Sequence, residues 1–279
     1  MTDHAAPSSS IALATARGVF RVVDEGDANA PALVLSNSLG TTLEMWAPQV
    51  AAFSQNHRVI RYDTRGHGGS VVTPGPYTIA ELGQDVLAIL DALEVSSAAF
   101  CGISMGGHTG LWLGAHAGDR LQALAVCNSA ARIGTAQGWE ERAATVRQSA
   151  GAGMKSLAAS APGRWFTADF VSKQPDTVHA AQSMLAGINP EGYAACCEAL
   201  AHSDLYADLW RIATPTLLIA GVFDPVTTEA DAHTMQTAIA EAHTQALQAS
   251  HLSNLEVPLA FTNEILQFLH AAKSASHLS

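Results

Sequence analysis

Three residues of this chain have the types and the order needed for acyl transfer through a serine nucleophile: Ser104, Asp224 and His251. Ser104 is the centre of Gly102-Ile103-Ser104-Met105-Gly106, the Gly-x-Ser-x-Gly pattern of a nucleophile elbow. Such a turn lifts a hydroxyl off the end of a strand and strains the serine backbone, so its flanks need residues almost without side chains. A serine hydroxyl is a weak nucleophile at neutral pH and needs a base, and the base needs an orienting group. His251 lies in Ala249-Ser250-His251-Leu252-Ser253-Asn254, after the last expected strand and before the final helix, where a loop can swing it over the elbow. Asp224 closes Ala220-Gly221-Val222-Phe223-Asp224, which places a carboxylate at the C-terminal end of an apolar strand. The order serine, acid, histidine is the one that elbow folds use. His67, His108 and His116 precede any candidate acid in that order, and His270 and His277 lie on or beyond the last helix. Asp231 is the rival acid but falls inside an expected helix.

The tetrahedral oxyanion needs two convergent backbone N–H groups. Met105, the residue after the nucleophile, is expected to give one. The loop Asn37-Ser38-Leu39-Gly40 is expected to give the other through Leu39, with Gly40 letting the backbone approach.

These groups must be carried by strands and helices, and the chain alternates them. Ile11 to Ala16 and Val19 to Asp24 read as an opening antiparallel pair, followed by buried strands at Ala32 to Ser36 and Val59 to Tyr62. Thr78-Ile79-Ala80-Glu81 matches a capping box and opens a helix to about Leu93. Ser97 to Cys101 reads as the elbow strand, Met105 to Ala117 as the elbow helix, and Leu121 to Cys127 as another buried strand. From about Ile133 to Leu209 the texture turns Ala-rich and helical, without a convincing strand. Strand character returns at Thr216 to Ala220 and Thr244 to Leu247, with helices from about Thr228 and Pro258. The expected architecture is an α/β core, 1–132 and 211–279, with a helical cap at 133–210 above the strand ends where open α/β sheets bind ligands.

Composition narrows the partners. A content of 48% hydrophobic against 14% charged residues indicates a well-buried globule. The net charge of −11 opposes nucleic acid and an anionic membrane surface, so neither is expected as a partner. It equally opposes an anionic substrate, which would need a local arginine. Met1 to Ser10 is polar and lacks an apolar leader core, so a cytoplasmic protein is expected. The four cysteines (Cys101, Cys127, Cys196, Cys197) have no CxxC spacing and read as buried free thiols; no metal or cofactor is expected.

The whole chain resembles the α/β-hydrolase superfamily, and within it the 3-oxoadipate enol-lactonases. The resemblance is carried by Leu33-Val34-Leu35-Ser36-Asn37-Ser38-Leu39-Gly40, Tyr62-Asp63-Thr64-Arg65-Gly66-His67-Gly68-Gly69-Ser70 and Cys101-Gly102-Ile103-Ser104-Met105-Gly106-Gly107. It continues in Cys127-Asn128-Ser129-Ala130-Ala131-Arg132-Ile133-Gly134-Thr135, Pro190-Glu191-Gly192-Tyr193 and Ser250-His251-Leu252-Ser253-Asn254. Many superfamily members have His-Gly where this chain has Asn37-Ser38. The resemblance implies a mostly parallel eight-stranded sheet with a helical cap, and hydrolysis of an anionic enol-lactone to 3-oxoadipate through an acyl-enzyme. Some enol-lactonases are fused to a C-terminal carboxymuconolactone decarboxylase domain; here the chain ends soon after the last expected helix, so decarboxylation is expected of another protein. Arg132, just before the inserted helices, is the expected clamp for the lactone's acetate arm, and Trp139 an expected wall of the pocket. The alternatives are another serine carboxylesterase, a carbon–carbon bond hydrolase on the same scaffold, or a non-catalytic ligand-binding member.

Overall fold

The computed structural model describes residues 9–149 and 151–276. Most of the polar start (residues 1–8) and His277 therefore lie outside the described residues. Eight strands form one sheet: β1 (Ile11–Thr15), β2 (Gly18–Glu25), β3 (Ala32–Ser36), β4 (Arg58–Tyr62), β5 (Ala98–Ile103), β6 (Leu121–Cys127), β7 (Thr216–Gly221) and β8 (Ala242–Leu247). Their spatial order is β1-β2-β4-β3-β5-β6-β7-β8. The first two pairings, β1 with β2 and β2 with β4, are antiparallel, and the rest are parallel. This is the mostly parallel, eight-stranded sheet expected.

Strand composition explains the layering. Ala32–Ser36, Ala98–Ile103 and Thr216–Gly221 are buried along their whole length, as continuous apolar runs covered on both faces must be. Helices α1 (Ala47–Phe53), α2 (Ile79–Ala92) and α3 (Met105–His116) follow β3, β4 and β5. Thr78 and Glu81 form the expected capping box at the start of α2, with Glu81 N–H donating to Thr78 Oγ1 at 3.1 Å and Thr78 N–H to Glu81 Oε2 at 2.8 Å.

Between β6 and β7 the chain runs through α4 (Ala136–Gln148), α5 (Ala152–Ser160), α6 (Pro162–Trp165), α7 (Ala168–Lys173), α8 (Pro175–Ala186) and α9 (Pro190–Ala201). Arg147 of α4 pairs with both Glu191 (2.8 Å) and Glu198 of α9, tying the first and last of these helices together. The chain then completes the core with α10 (Glu229–Ala238), α11 (Ser253–Glu256) and α12 (Pro258–Ser276). One apolar core packs α1 and α12 against the sheet, and the other packs α2, α3 and α10. All four cysteines are buried and unbridged. Among the described residues, no helix is long and apolar enough to cross a membrane.

Candidate active site

β5 ends at Ile103 and α3 starts at Met105, leaving Ser104 alone in the turn with φ 55° and ψ −117°. A non-glycine residue there stores about 1–3 kcal/mol of strain and stays only where its surroundings hold it. They do: Ser104 N–H donates to Cys127 O at 2.9 Å, and its carbonyl accepts from His108 N–H and the Ser129 hydroxyl, both at 2.8 Å. The flanking glycines are required by contact. A Cβ on Gly102 would lie 2.3 Å from the Gly106 carbonyl, and one on Gly106 would lie 2.3 Å from Ser36 O. The motif is thus a packing rule: strand, turn and neighbouring loop touch through bare backbone.

Asp224 and His251 meet as the sequence order required. His251 Nδ1 lies 2.8 Å from Asp224 Oδ2 in a pair that is almost wholly buried. A carboxylate accepts, so Nδ1 carries the proton and the Nε2 lone pair is left for substrate chemistry. Asp224 also accepts from Val226 N–H (2.8 Å), Thr227 N–H (3.1 Å), Thr227 Oγ1 (2.9 Å) and Asn128 Nδ2 (3.1 Å). Burial alone would push the Asp224 carboxyl up, but the facing His251 and these donors outweigh it and hold it below the usual carboxylate range. Asp231 is the third residue of α10 and closes a capping box with Thr228, so it is occupied elsewhere.

The two expected oxyanion donors flank the elbow. Met105 opens α3, where a backbone N–H has no carbonyl of its own helix to bond. Leu39 sits in a turn whose next residue, Gly40, has φ +82°. Gly40 N–H donates to His67 Nε2 at 3.0 Å, and His67 Nδ1 lies 3.2 Å from Arg65 O. Burial pushes His67 down to about 4, so the ring is neutral, with Nδ1 as donor and Nε2 as acceptor. A neutral histidine thereby shapes the Leu39 turn.

Ser38, Leu39, Ser104 and His251 line one cavity of about 310 Å³. The opposite wall comes from the inserted helices: Trp139, Arg142, Arg164, Trp165 and Tyr193. Trp139 is where the sequence put it, with its indole N–H on Ile133 O at 2.6 Å. Arg132 is not. Its side chain is half exposed and lies 3.7 Å from Asp204. The buried neighbours Ala131 and Ile133 turn inward and leave Arg132 pointing out, while Ala131 O is held by Leu205 N–H at 2.8 Å.

The cationic lining comes instead from Arg142 and Arg164, which the sequence reading missed. Arg142 lies over the Trp139 ring at 4.7 Å. The signal for it was present, since residues three apart on a helix share a face. Arg164 bonds only weakly to Ser160, at 3.3 and 3.4 Å, and its pKa is lowered first by burial and then by the nearby Arg142 charge. Asn128 was missed as well. Its buried amide, on a residue with φ 45°, donates to Asp224 Oδ2 and to Ser250 O (3.0 Å) and accepts from Ser253 Oγ (2.5 Å).

An eight-stranded sheet with a strained serine at the end of β5 and an acid–histidine pair beyond β7 and β8 defines the α/β-hydrolase class. A family model described as the alpha/beta hydrolase fold matches residues 31–258, and the chain belongs to that family. Within it, the chain is 48% identical over 240 residues to 3-oxoadipate enol-lactonase 2 of Acinetobacter baylyi, covering 86% of this chain and 89% of that protein. It is also 48% identical to 3-oxoadipate enol-lactonase 1 of the same organism, over 85% of this chain and 87% of the relative. The crystal structure of the enol-lactonase from Burkholderia xenovorans LB400 superposes with a TM-score of 0.90 at 44% identity, covering 94% of this chain and all of that one.

Proposed function

We propose that this protein hydrolyses 3-oxoadipate enol-lactone to 3-oxoadipate through a Ser104 acyl-enzyme, with residues 133–210 acting as the cap that selects the substrate. The observation that carries the reading is the pair of arginines, Arg142 and Arg164, lining the cavity that Ser104 and His251 share. A protein of net charge −11 repels anions at long range, so two cations lining the cavity of its serine make sense for a carboxylate-bearing substrate. A neutral ester or a neutral diketone has no use for them. The similar Acinetobacter baylyi proteins are 3-oxoadipate enol-lactonases, in keeping with this chemistry.

In this mechanism Ser104 Oγ attacks the lactone carbonyl while His251 Nε2 takes its proton, and Asp224 stabilises the imidazolium that results. The N–H groups of Met105 and Leu39 hold the oxyanion, each worth about 3–4 kcal/mol of barrier. The ring C–O bond breaks to release an enolate on the same molecule, whose carbon takes the proton from the His251 imidazolium to give the ketone. An enolate leaves more easily than an alkoxide, so acylation needs little acid assistance. Water, deprotonated by His251, then attacks the acyl-enzyme and frees the second carboxylate. Arg142, stacked on Trp139, holds the acetate arm, with Arg164 beside it. Purified protein should consume the enol-lactone and form 3-oxoadipate stoichiometrically, and Ser104→Ala should lower kcat by about 10⁴-fold or more. Full activity in that variant would refute the acyl-enzyme; turnover of a vinylogous diketone in preference to the lactone would move the protein to the carbon–carbon hydrolases.

A further inference from the structure

The inserted helices and the His251 loop are joined at a junction beside the cavity. Ser250 N–H donates to Glu256 Oε2 at 2.8 Å. The other oxygen of that carboxylate, Oε1, accepts from Thr167 N–H at 3.1 Å and from the Thr167 hydroxyl. On the far side of His251, Leu252 N–H donates to Trp165 O at 3.0 Å. The backbone donors on both sides of the histidine are therefore satisfied by the segment Trp165–Thr167, one directly and one through a single shared carboxylate. From the sheet side the loop is held by Asn128 Nδ2 on Ser250 O (3.0 Å), by Ser250 Oγ on Phe223 O (3.3 Å) and by Asp224 on His251 Nδ1 (2.8 Å). Thr167 and Glu256 are 89 positions apart in the sequence, so this is a tertiary tie and not a local turn. The residue just before the tied segment is Arg164, which lines the cavity.

Resting on the reading that the cavity guanidinium groups hold the substrate's carboxylate, we infer that Glu256 is a positioning residue that fastens His251 to the cap segment carrying Arg164, so that seating the carboxylate also seats the base. Among the described residues, the hydrogen bonds of the Arg164 side chain are two long contacts to Ser160, at 3.3 and 3.4 Å. An anion in the cavity immobilises this side chain, and the short run Arg164-Trp165-Phe166-Thr167 passes that constraint to Leu252 directly and to Ser250 through Glu256. Binding energy from the non-reacting arm of the substrate is thereby spent on kcat, where uniform binding would have lowered KM alone. Substrates without the arm would be bound less tightly and also turned over more slowly once bound.

A double-mutant cycle on kcat tests this with the intact protein: wild type, Arg164→Ala, Glu256→Ala and the double variant, all with the enol-lactone. Each single change should lower kcat about tenfold, Glu256→Ala should leave KM unchanged, and the double variant should be no slower than the worse single one. Losses that multiply in the double variant overturn the coupling, as does a Glu256→Ala effect confined to KM. If Glu256→Ala does not fold, the cycle is run with Glu256→Gln, which keeps an acceptor for one side of the tie, and multiplying losses there count equally against it. A wild-type protein inactive on the lactone removes the proposed function and this inference together. Multiplying losses in an active enzyme remove only the inference.

Discussion

On the sheet side of the cavity, Ser104, Asp224 and His251 project from loops beyond β5, β7 and β8, and buried hydrogen bonds pin each loop. On the helical side, Trp139 and Arg142 sit on α4 and Arg164 on the four-residue α6. These helices are held by apolar packing around Ala143, Val146 and Tyr193 and, between α4 and α9, by ion pairs of Arg147 with Glu191 and Glu198 that lie partly in solvent. The first wall is pinned by buried hydrogen bonds, and the second is held by apolar packing and partly exposed ion pairs. The difference matches what each wall must do. Proton transfer tolerates little misplacement, whereas recognition of a carboxylate arm needs the right charges and room to admit them.

The largest effect should come from breaking the sheet wall at its acid. Asp224→Asn leaves the shape intact but removes the acceptor that fixes the His251 tautomer, and kcat should fall about 10⁴-fold with KM little changed. Steady-state kinetics on the enol-lactone measure this, and a loss under tenfold would mean that His251 is oriented without Asp224. A smaller effect, on binding, is expected from the helical wall. Arg142→Ala should raise KM for the lactone about 10–100-fold, the worth of a charged hydrogen-bonded contact, while sparing a small neutral ester. Arg132→Ala in the same assay should change neither, because its side chain is half exposed and paired with Asp204. Equal KM effects from the two arginines would erase the contrast between cavity and surface.

The smallest effect concerns pH. The Asp224 carboxyl is held below its unfolded value of about 3.9, so its contribution to stability is complete above that pH. It is lost as the pH falls through the lower, folded value, when the unfolded chain takes up the proton first. Thermal midpoints measured in steps below pH 5 should fall for the wild type, and Asp224→Asn should lack that component of the fall. Identical slopes would show that the acid gains nothing from its buried donors.

The same contrast decides what could be read from the sequence. The elbow, the acid and the base are marked by local chemistry: glycines forced by backbone contact, a carboxylate closing an apolar strand, a histidine in a loop before the last helix. Those constraints act over a few residues and leave a pattern. Arg132 shows where this stops. It stands next to the right strand, but its direction depends on Ala131 and Ile133 being buried against elements far along the chain. Arg142 faces the cavity because α4 packs on α9, and Arg164 because a four-residue helix happens to approach the His251 loop. Neither fact leaves a local trace, except for the three-residue spacing that stacks Arg142 on Trp139. Asn128 escaped for the same reason, since its three partners come from the loops after β7 and β8.

The strained backbone at Ser104 also gives the protein a built-in gauge. An isolated chain has no reason to keep a serine at φ 55°, and the partners that enforce it, Cys127, His108 and Ser129, converge only in the folded molecule. A reactive Ser104 is then a property of intact tertiary structure and not of the pentapeptide. Stoichiometric labelling by a serine-directed phosphonate should count native molecules in a preparation, and the decay of labelling during heating should follow loss of the fold.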